Sequence, residues 1–570
     1  MRTRAYSVPA ILGYLALLFC AGAAWAQPTP ARGARPARVR LYQLVEETMT
    51  NDGQFGNPFT DTELRLQVAA PARRQLGRSF TWYGFYDGDG KGGQTGDVWK
   101  LRLLFDCPGQ WTVSAGFYAP GTNTPNGPAR TFAYRVSTSA VPDEHGHVYV
   151  DPQNWRRLRC ADGTPWVPFV MCSSMLLDRD APIARRWIDE HAARGVEALA
   201  VRFHAEAWTL GDAGHWHFLL KDGRAATEWP GSADAFDYTR FCIPTWHYNE
   251  QMIQYAHAKG VKLSIWFGIS GINRQYWSCG PKDSPDDAHL GPQQSLFIRY
   301  FLARWAPYTT WWHWTVDSEY EETGRGALER IRAYAAELRA RNPWRTLITT
   351  HVLRDWTPQD APEFDIATLQ QRVADTDAGA TDAREFIVRN AAYGRPVFDA
   401  EGVWNLPIPR MRVATWALLM AGGFSEVAYY PAEDDNTASS WGVNWEKVDG
   451  RHREAAAELG KMARFFNHTK GIDIRRCVPH DDLVTLRSGH LALCLADPGR
   501  SYYVWLDQGG EAALDLSGEA GRFLVTRYRC TELDRPAKPT PISGGGKRSL
   551  GETPTSGFDN GYLFVVRSAR

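Results

Sequence analysis

The sequence predicts a multidomain protein of mixed α/β and all-β class, with a (β/α)₈ TIM barrel flanked by two β-sandwich domains. Three observations predict it. The 570 residues leave room for three or four domains at roughly 150 residues each. Strand-like and helix-like runs alternate through the middle of the chain. Short alternating strands separated by Gly, Pro and Asp turns occupy both ends.

Residues 1–26 carry Arg2 and Arg4, an apolar run from Ile11 to Cys20, and Ala24-Trp25-Ala26 ahead of Gln27. That pattern is a secretory signal peptide, so the mature chain is expected to begin at Gln27 and to work in the periplasm or outside the cell. Phe19 stands where a lipoprotein signal has a small residue, and no later stretch is long and apolar enough to span a bilayer. Residues 27–38 (QPTPARGARPAR) have no apolar period and read as a linker.

Residues 39–140 alternate as Leu64-Leu66-Val68, Leu101-Leu103-Phe105 and Trp111-Val113, the signature of a first antiparallel sandwich. Its YDGDGKGGQTGD segment (86–97) lacks the ligand spacing of a calcium loop and reads as a turn.

Residues 141–468 are assigned to the barrel. Eight β-rich runs, Val167–Cys172, Ala198–Phe203, Lys262–Phe267, Thr310–Val316, Arg345–Thr350, Phe364–Leu369, Pro396–Ala400 and Glu426–Tyr430, alternate with helical patterns such as Leu328, Ile331, Ala335 and Leu338. An open doubly wound sheet would need a Gly-rich phosphate turn after its first strand, and the chain has none. Residues 469–570 return to short strands and form the second sandwich, in which SGGGKRS (543–549) is a turn because its spacing fails as a phosphate loop.

Composition narrows the function. Lys+Arg and Asp+Glu balance at 64 each, which removes the electrostatic case for nucleic acid or an anionic membrane. The 24 Trp, 23 Tyr and 25 Phe exceed what a core needs and suit stacking on sugar rings, so carbohydrate is the expected partner. The eight cysteines after Cys20 form no CxxC pair, and Cys477, Cys494 and Cys530 are close enough in sequence for one local disulfide. There is no HExxH, GxSxG or phosphate loop, so nothing in the sequence calls for a cofactor, and a metal in the loops is left unsupported.

A barrel of this kind carries its active site at the C-terminal ends of its strands. The fourth strand, WWHWTVDSEYEE (311–322), leaves Glu319 at its mouth, and the seventh, RPVFDAEG (395–402), leaves Glu401. Cleaving a glycosidic bond through a covalent intermediate needs two such carboxyl groups about 5–5.5 Å apart. Glu321 and Glu322 are rivals that lie past the strand, and Glu433 lies in the loop after the eighth. Asp317 and Asp399 precede the two glutamates by two residues, so regular strands would aim them into the barrel as well. Such buried acids need a partner, for which Arg202 at the end of the second strand is placed. His204, Trp266, His351, Gln370 and Tyr430 also end strands and either line a sugar subsite or serve as hydrogen-bonded wall residues.

These segments resemble the glycoside hydrolase clan A barrels, where an acid/base Glu follows the fourth strand and a nucleophile Glu the seventh. TVDSEYEE, WALLMAGGFSEVAYY (416–430) and the N-terminal GFYDGDG and CPGQWTVSAGF are similar to secreted members, apiosidase-like hydrolases among them. YYVWLDQGGEAALDLSG with GRFLVTRY (502–528) resembles a terminal sandwich module named for collagen binding. The resemblance implies a secreted retaining glycosidase with Glu319 as general acid/base, Glu401 as nucleophile and Arg202 hydrogen-bonded to the nucleophile. The family usually has Asn before the acid/base, reading the hydroxyl next to the anomeric carbon, whereas this chain has Ser318. The alternative from another class is a non-catalytic glycan- or collagen-binding adhesion protein on a barrel scaffold.

Overall fold

The computed structural model describes residues 36–569 except 74–75, 174–175, 179–180, 203–215, 228–229, 268–289, 319–326, 353–360, 430–449, 556 and 559–560. The signal-peptide segment and most of the expected linker lie outside the described residues.

The N-terminal strands form two sheets. One has five strands in the order 37–41, 130–140, 109–118, 63–73 and 76–83; the other has three in the order 44–50, 98–104 and 85–86. The alternating residues seen in the sequence are the buried ones: Leu64, Leu66 and Val68 on one sheet, Leu101 and Leu103 on the other. Trp99 meets Phe117 edge-on at 5.6 Å, so the sheets pack face to face. The first strand, expected to start at Val39, already begins at Ala37 and pairs parallel with residues 130–140.

A closed eight-stranded parallel barrel follows, built from Phe169–Cys172, Ala198–Arg202, Lys262–Trp266, Trp311–Ser318, Leu347–Val352, Ala367–Leu369, Val397–Trp404 and Phe424–Ala428. These are the eight runs expected, shifted by a few residues at their ends. Strands buried on both faces read as near-continuous runs, as in Leu347–Val352, where every residue is buried. Seven helices are described between or after them: α1 Ala181–Arg194, α2 Ile243–Ala258, α3 Pro292–Trp305, α4 Ala327–Arg341, α5 Gly379–Asn390, α6 Ile408–Met420 and α7 Gly450–His468. The three-stranded sheet of residues 148–166 brings Trp166 to 5.4 Å from Trp312 of the fourth barrel strand. Where α7 crosses the end of α1, a Cβ on Gly460 would collide with the Arg194 carbonyl, so only glycine permits that approach.

Buried charge joins the N-terminal sheets to the barrel. Asp87, within the segment read as a turn, pairs with Lys100 at 2.9 Å and with Arg304 of α3 at 2.7 Å. Glu250 of α2 pairs with Arg304 at 3.1 Å and with Arg102. Burial pushes the Glu250 carboxyl up, but the two guanidinium groups outweigh it and hold it at about 2.

The C-terminal strands form a six-stranded and a three-stranded sheet that dock through aromatic side chains on the last two helices. Trp505 stacks on Trp416 of α6 at 6.2 Å, and Tyr528 meets Phe465 of α7 at 5.0 Å. Residues 544–546 make the expected turn between strands 540–543 and 547–553. The seven described cysteines are all free and buried, so the local bridge among Cys477, Cys494 and Cys530 is absent; Cys279 lies outside the described residues. Among the described residues no helix is long and apolar enough to cross a membrane.

Candidate active site

The seventh barrel strand departs from regular alternation where the chemistry is expected. Phe398 faces inward, its ring 5.6 Å from Trp312 and 5.7 Å from His313. Asp399 therefore takes the opposite face. It lies in one lateral row with Ser425 and Phe169, and Phe169 stacks on Phe466 of α7 at 6.0 Å. The expectation that Asp399 points into the barrel is corrected: its carboxyl lies on the helix side and is fully buried, with Oδ1 accepting the Gln371 backbone N–H at 3.0 Å. Burial holds this carboxyl well above its ordinary range, more than the hydrogen bond lowers it.

Between Asp399 and Val403 the pairing register shifts, and Glu401 has φ 56°. A left-handed backbone costs a residue with a Cβ about 1–3 kcal/mol, so the surroundings must hold it. The strand does not stop at Glu401, as expected, but continues to Trp404. The irregularity brings the buried Glu401 carboxylate to Cys172, at the end of the first strand, and Glu426, in the eighth; one ligating atom from each lies within 4.8 Å of the others. Glu426 sits in the inward row with Val170 and Ala198.

Sequence reasoning missed Cys172 and Glu426. A signal existed for the second, because an acid inside the short strand-like FSEVA run, between a β-branched valine and the Gly422-Gly423 stop, has to be buried with other polar atoms. The three ligating atoms are close enough to hold a cation between them, but two carboxylates and one sulfur are not the nitrogen- and sulfur-rich set that structural zinc sites take.

The other expected residues fall into two groups. Trp266 and His351 are brought together at the strand ends, their rings 4.8 Å apart and both buried. Gln370 follows the sixth strand, half-buried, and its N–H donates to the Val352 carbonyl at 2.7 Å. Arg202 and Trp266 are register partners, as are Ser318 and His351, so four expected residues belong to two lateral rows at the C-terminal ends. The side chains of Arg202, Asp317 and Ser318 lie outside the described residues, as do His204, Glu319, Glu321, Glu322, Tyr430 and Glu433. The fourth strand also shifts register between Thr315 and Ser318, which removes the regular alternation assumed for Asp317. Deeper in the barrel, burial lowers His313 to about 3 and keeps it neutral, with Nε2 3.1 Å from the Thr315 hydroxyl.

Comparison with known proteins gives one family match and a set of similar folds. Residues 38–140 match a domain of unknown function, DUF5060. No curated protein matches the chain. A putative glycoside hydrolase from Bacteroides vulgatus ATCC 8482 is similar over 94% of this chain and 100% of its own, with a TM-score of 0.69 and 15% identity. A second solved structure, named only as a glycoside hydrolase, covers 75% of this chain and 98% of its own at TM-score 0.57 and 15% identity. A glycoside hydrolase family 5 protein from the same Bacteroides strain covers 75% of this chain and 95% of its own at TM-score 0.54 and 13% identity.

Proposed function

We propose that the protein is a secreted retaining glycoside hydrolase of clan A type acting on a poly- or oligosaccharide, with Glu401 as nucleophile and Glu319 as general acid/base. The observation that carries the reading is Glu401 itself, a buried carboxylate held in a left-handed conformation in the seventh strand of a closed eight-stranded barrel. The similarity of the whole fold to glycoside hydrolases supports it.

In this reading the Glu401 carboxylate attacks the anomeric carbon while Glu319 protonates the departing oxygen, giving a glycosyl ester on Glu401. Glu319, now a carboxylate, takes a proton from water, which attacks the same carbon from the face the leaving group vacated and breaks the ester, releasing the Glu401 carboxylate. Two displacements return the original anomer. The Trp266 and His351 rings, 4.8 Å apart, form an aromatic wall beside the sugar. Arg202 orients Glu401, and His204, Ser318, Gln370 and Tyr430 complete the subsite. Residues 1–26 direct export, and the sheets on either side of the barrel act as β-sandwich modules.

A panel of aryl glycosides tests the reading. Turnover abolished by Glu401→Gln supports it. Retention of glycan or collagen without turnover of any substrate supports the adhesion alternative instead.

A further inference from the structure

We propose that Asp399, on the face of the seventh strand turned away from the barrel interior, is the positioning residue that holds Glu401 in its reactive conformation. The inference rests on the reading of Glu401 as nucleophile and adds a residue to it.

Three observations converge on Asp399. Its Oδ1 accepts the Gln371 N–H at 3.0 Å, which ties the loop after the sixth strand to the seventh. Both its carboxyl oxygens occupy the space a Cβ at residue 402 would need, so the side chain packs directly on the Gly402 backbone. Gly402 in turn accepts the Val373 N–H through its carbonyl at 3.0 Å. Residues 371–373 thus grip the strand at 399 and at 402, and Glu401, with φ 56°, lies between the two holds. Gly402 is not in the left-handed region, so glycine is required there for the contact with Asp399 and not for its φ.

The hydrogen bond needs an acceptor at Oδ1, and the packing needs the planar group, but neither needs a charge. Asparagine supplies both. Alanine supplies neither, and it frees the strand between the two holds. Displacement of a reacting atom by about 1 Å lowers turnover on the order of 100-fold.

The test compares kcat, KM and melting temperature for four variants on an aryl glycoside that the full-length wild type cleaves. Asp399→Asn is expected to keep kcat within about threefold. Asp399→Ala is expected to lose roughly 100-fold in kcat with KM little changed. Gly402→Ala is expected to melt lower because its Cβ collides with the Asp399 carboxyl. The double variant Asp399→Ala/Gly402→Ala should recover the melting temperature but not kcat, a split that a purely structural role would not produce. The proposal is overturned if Asp399→Ala keeps kcat within threefold, if Asp399→Asn is as impaired as alanine, or if the double variant regains both quantities. A wild type inactive on every glycoside refutes the glycosidase reading instead. The positioning claim is then decided by crystal structures of wild type and Asp399→Ala, in which an unchanged left-handed φ at residue 401 overturns it.

Discussion

Glu426 of the eighth barrel strand brings a carboxylate oxygen within 4.8 Å of a carboxylate oxygen of Glu401 from the seventh, and both side chains are buried. Like charges this close in a poorly solvated place resist ionising together. Glu426→Gln removes one of them, and the acid limb of kcat/KM is expected to move to lower pH. A pH profile checks it, and an unmoved limb would mean that the two carboxyls do not sense each other.

The stacking of Trp416 on Trp505 places the terminal sheets as part of the barrel's packing. Trp416→Ala should cost about 3–5 kcal/mol, by loss of buried area and creation of a cavity. Denaturant unfolding measures the cost. Truncation after Lys470 should lower the melting temperature or solubility for the same reason; equal stability with complete loss of turnover would contradict this account.

The ion cluster between the N-terminal sheets and the barrel behaves differently. Glu250→Gln leaves Arg102 and Arg304 buried beside each other without their shared carboxylate. The expected loss is about 3–5 kcal/mol. Replacing Asp87, Arg102, Glu250 and Arg304 together by apolar residues of similar volume should recover most of it, since Asp87 would otherwise lose Arg304, as read by chemical denaturation.

Burial also sets the response to pH. His191 and His313 are lowered to about 3, and His147 and His452 to about 4, from an ordinary 6.5, in each case mainly by burial. Their folded values lie below the unfolded one, so their contribution is complete above pH 6.5 and is lost as pH falls toward 4 and then 3. Asp399 has the opposite sign: its folded value is raised, so its contribution is present below the unfolded value and lost as pH rises. Melting temperature should therefore drop steeply from pH 6.5 to 4. Asp399→Asn should melt at least as high as wild type at pH 8, and a clearly lower value there would show that the native carboxyl is stabilised as an anion.

The barrel was legible because its cause is periodic. Eight apolar runs separated by helical spacing need no long-range information, and both terminal β regions announce themselves by alternation. Asp87 was not legible. Its segment is rich in glycine and acid, as turns are, and only the fold carries Arg304 to it from more than two hundred residues away. The direction of Asp399 was misread for a related reason, since alternation gives orientation only until the register shifts, and the shift depends on contacts from the neighbouring loop at Gln371 and Val373. Glu426 lay in a recognised strand, but its closeness to Glu401 follows from the register shift in the neighbouring seventh strand, and barrel closure, which joins the eighth strand to the first, adds Cys172.

In the proposed reaction Glu401 attacks the anomeric carbon. The most direct measurement is the configuration of the glycosyl azide formed by Glu401→Ala from an aryl glycoside with an acidic phenol in the presence of azide. Azide entering the space left by the missing carboxylate should give the anomer opposite to the substrate. Azide product of the same configuration as the substrate, or turnover undiminished without azide, would contradict the assignment.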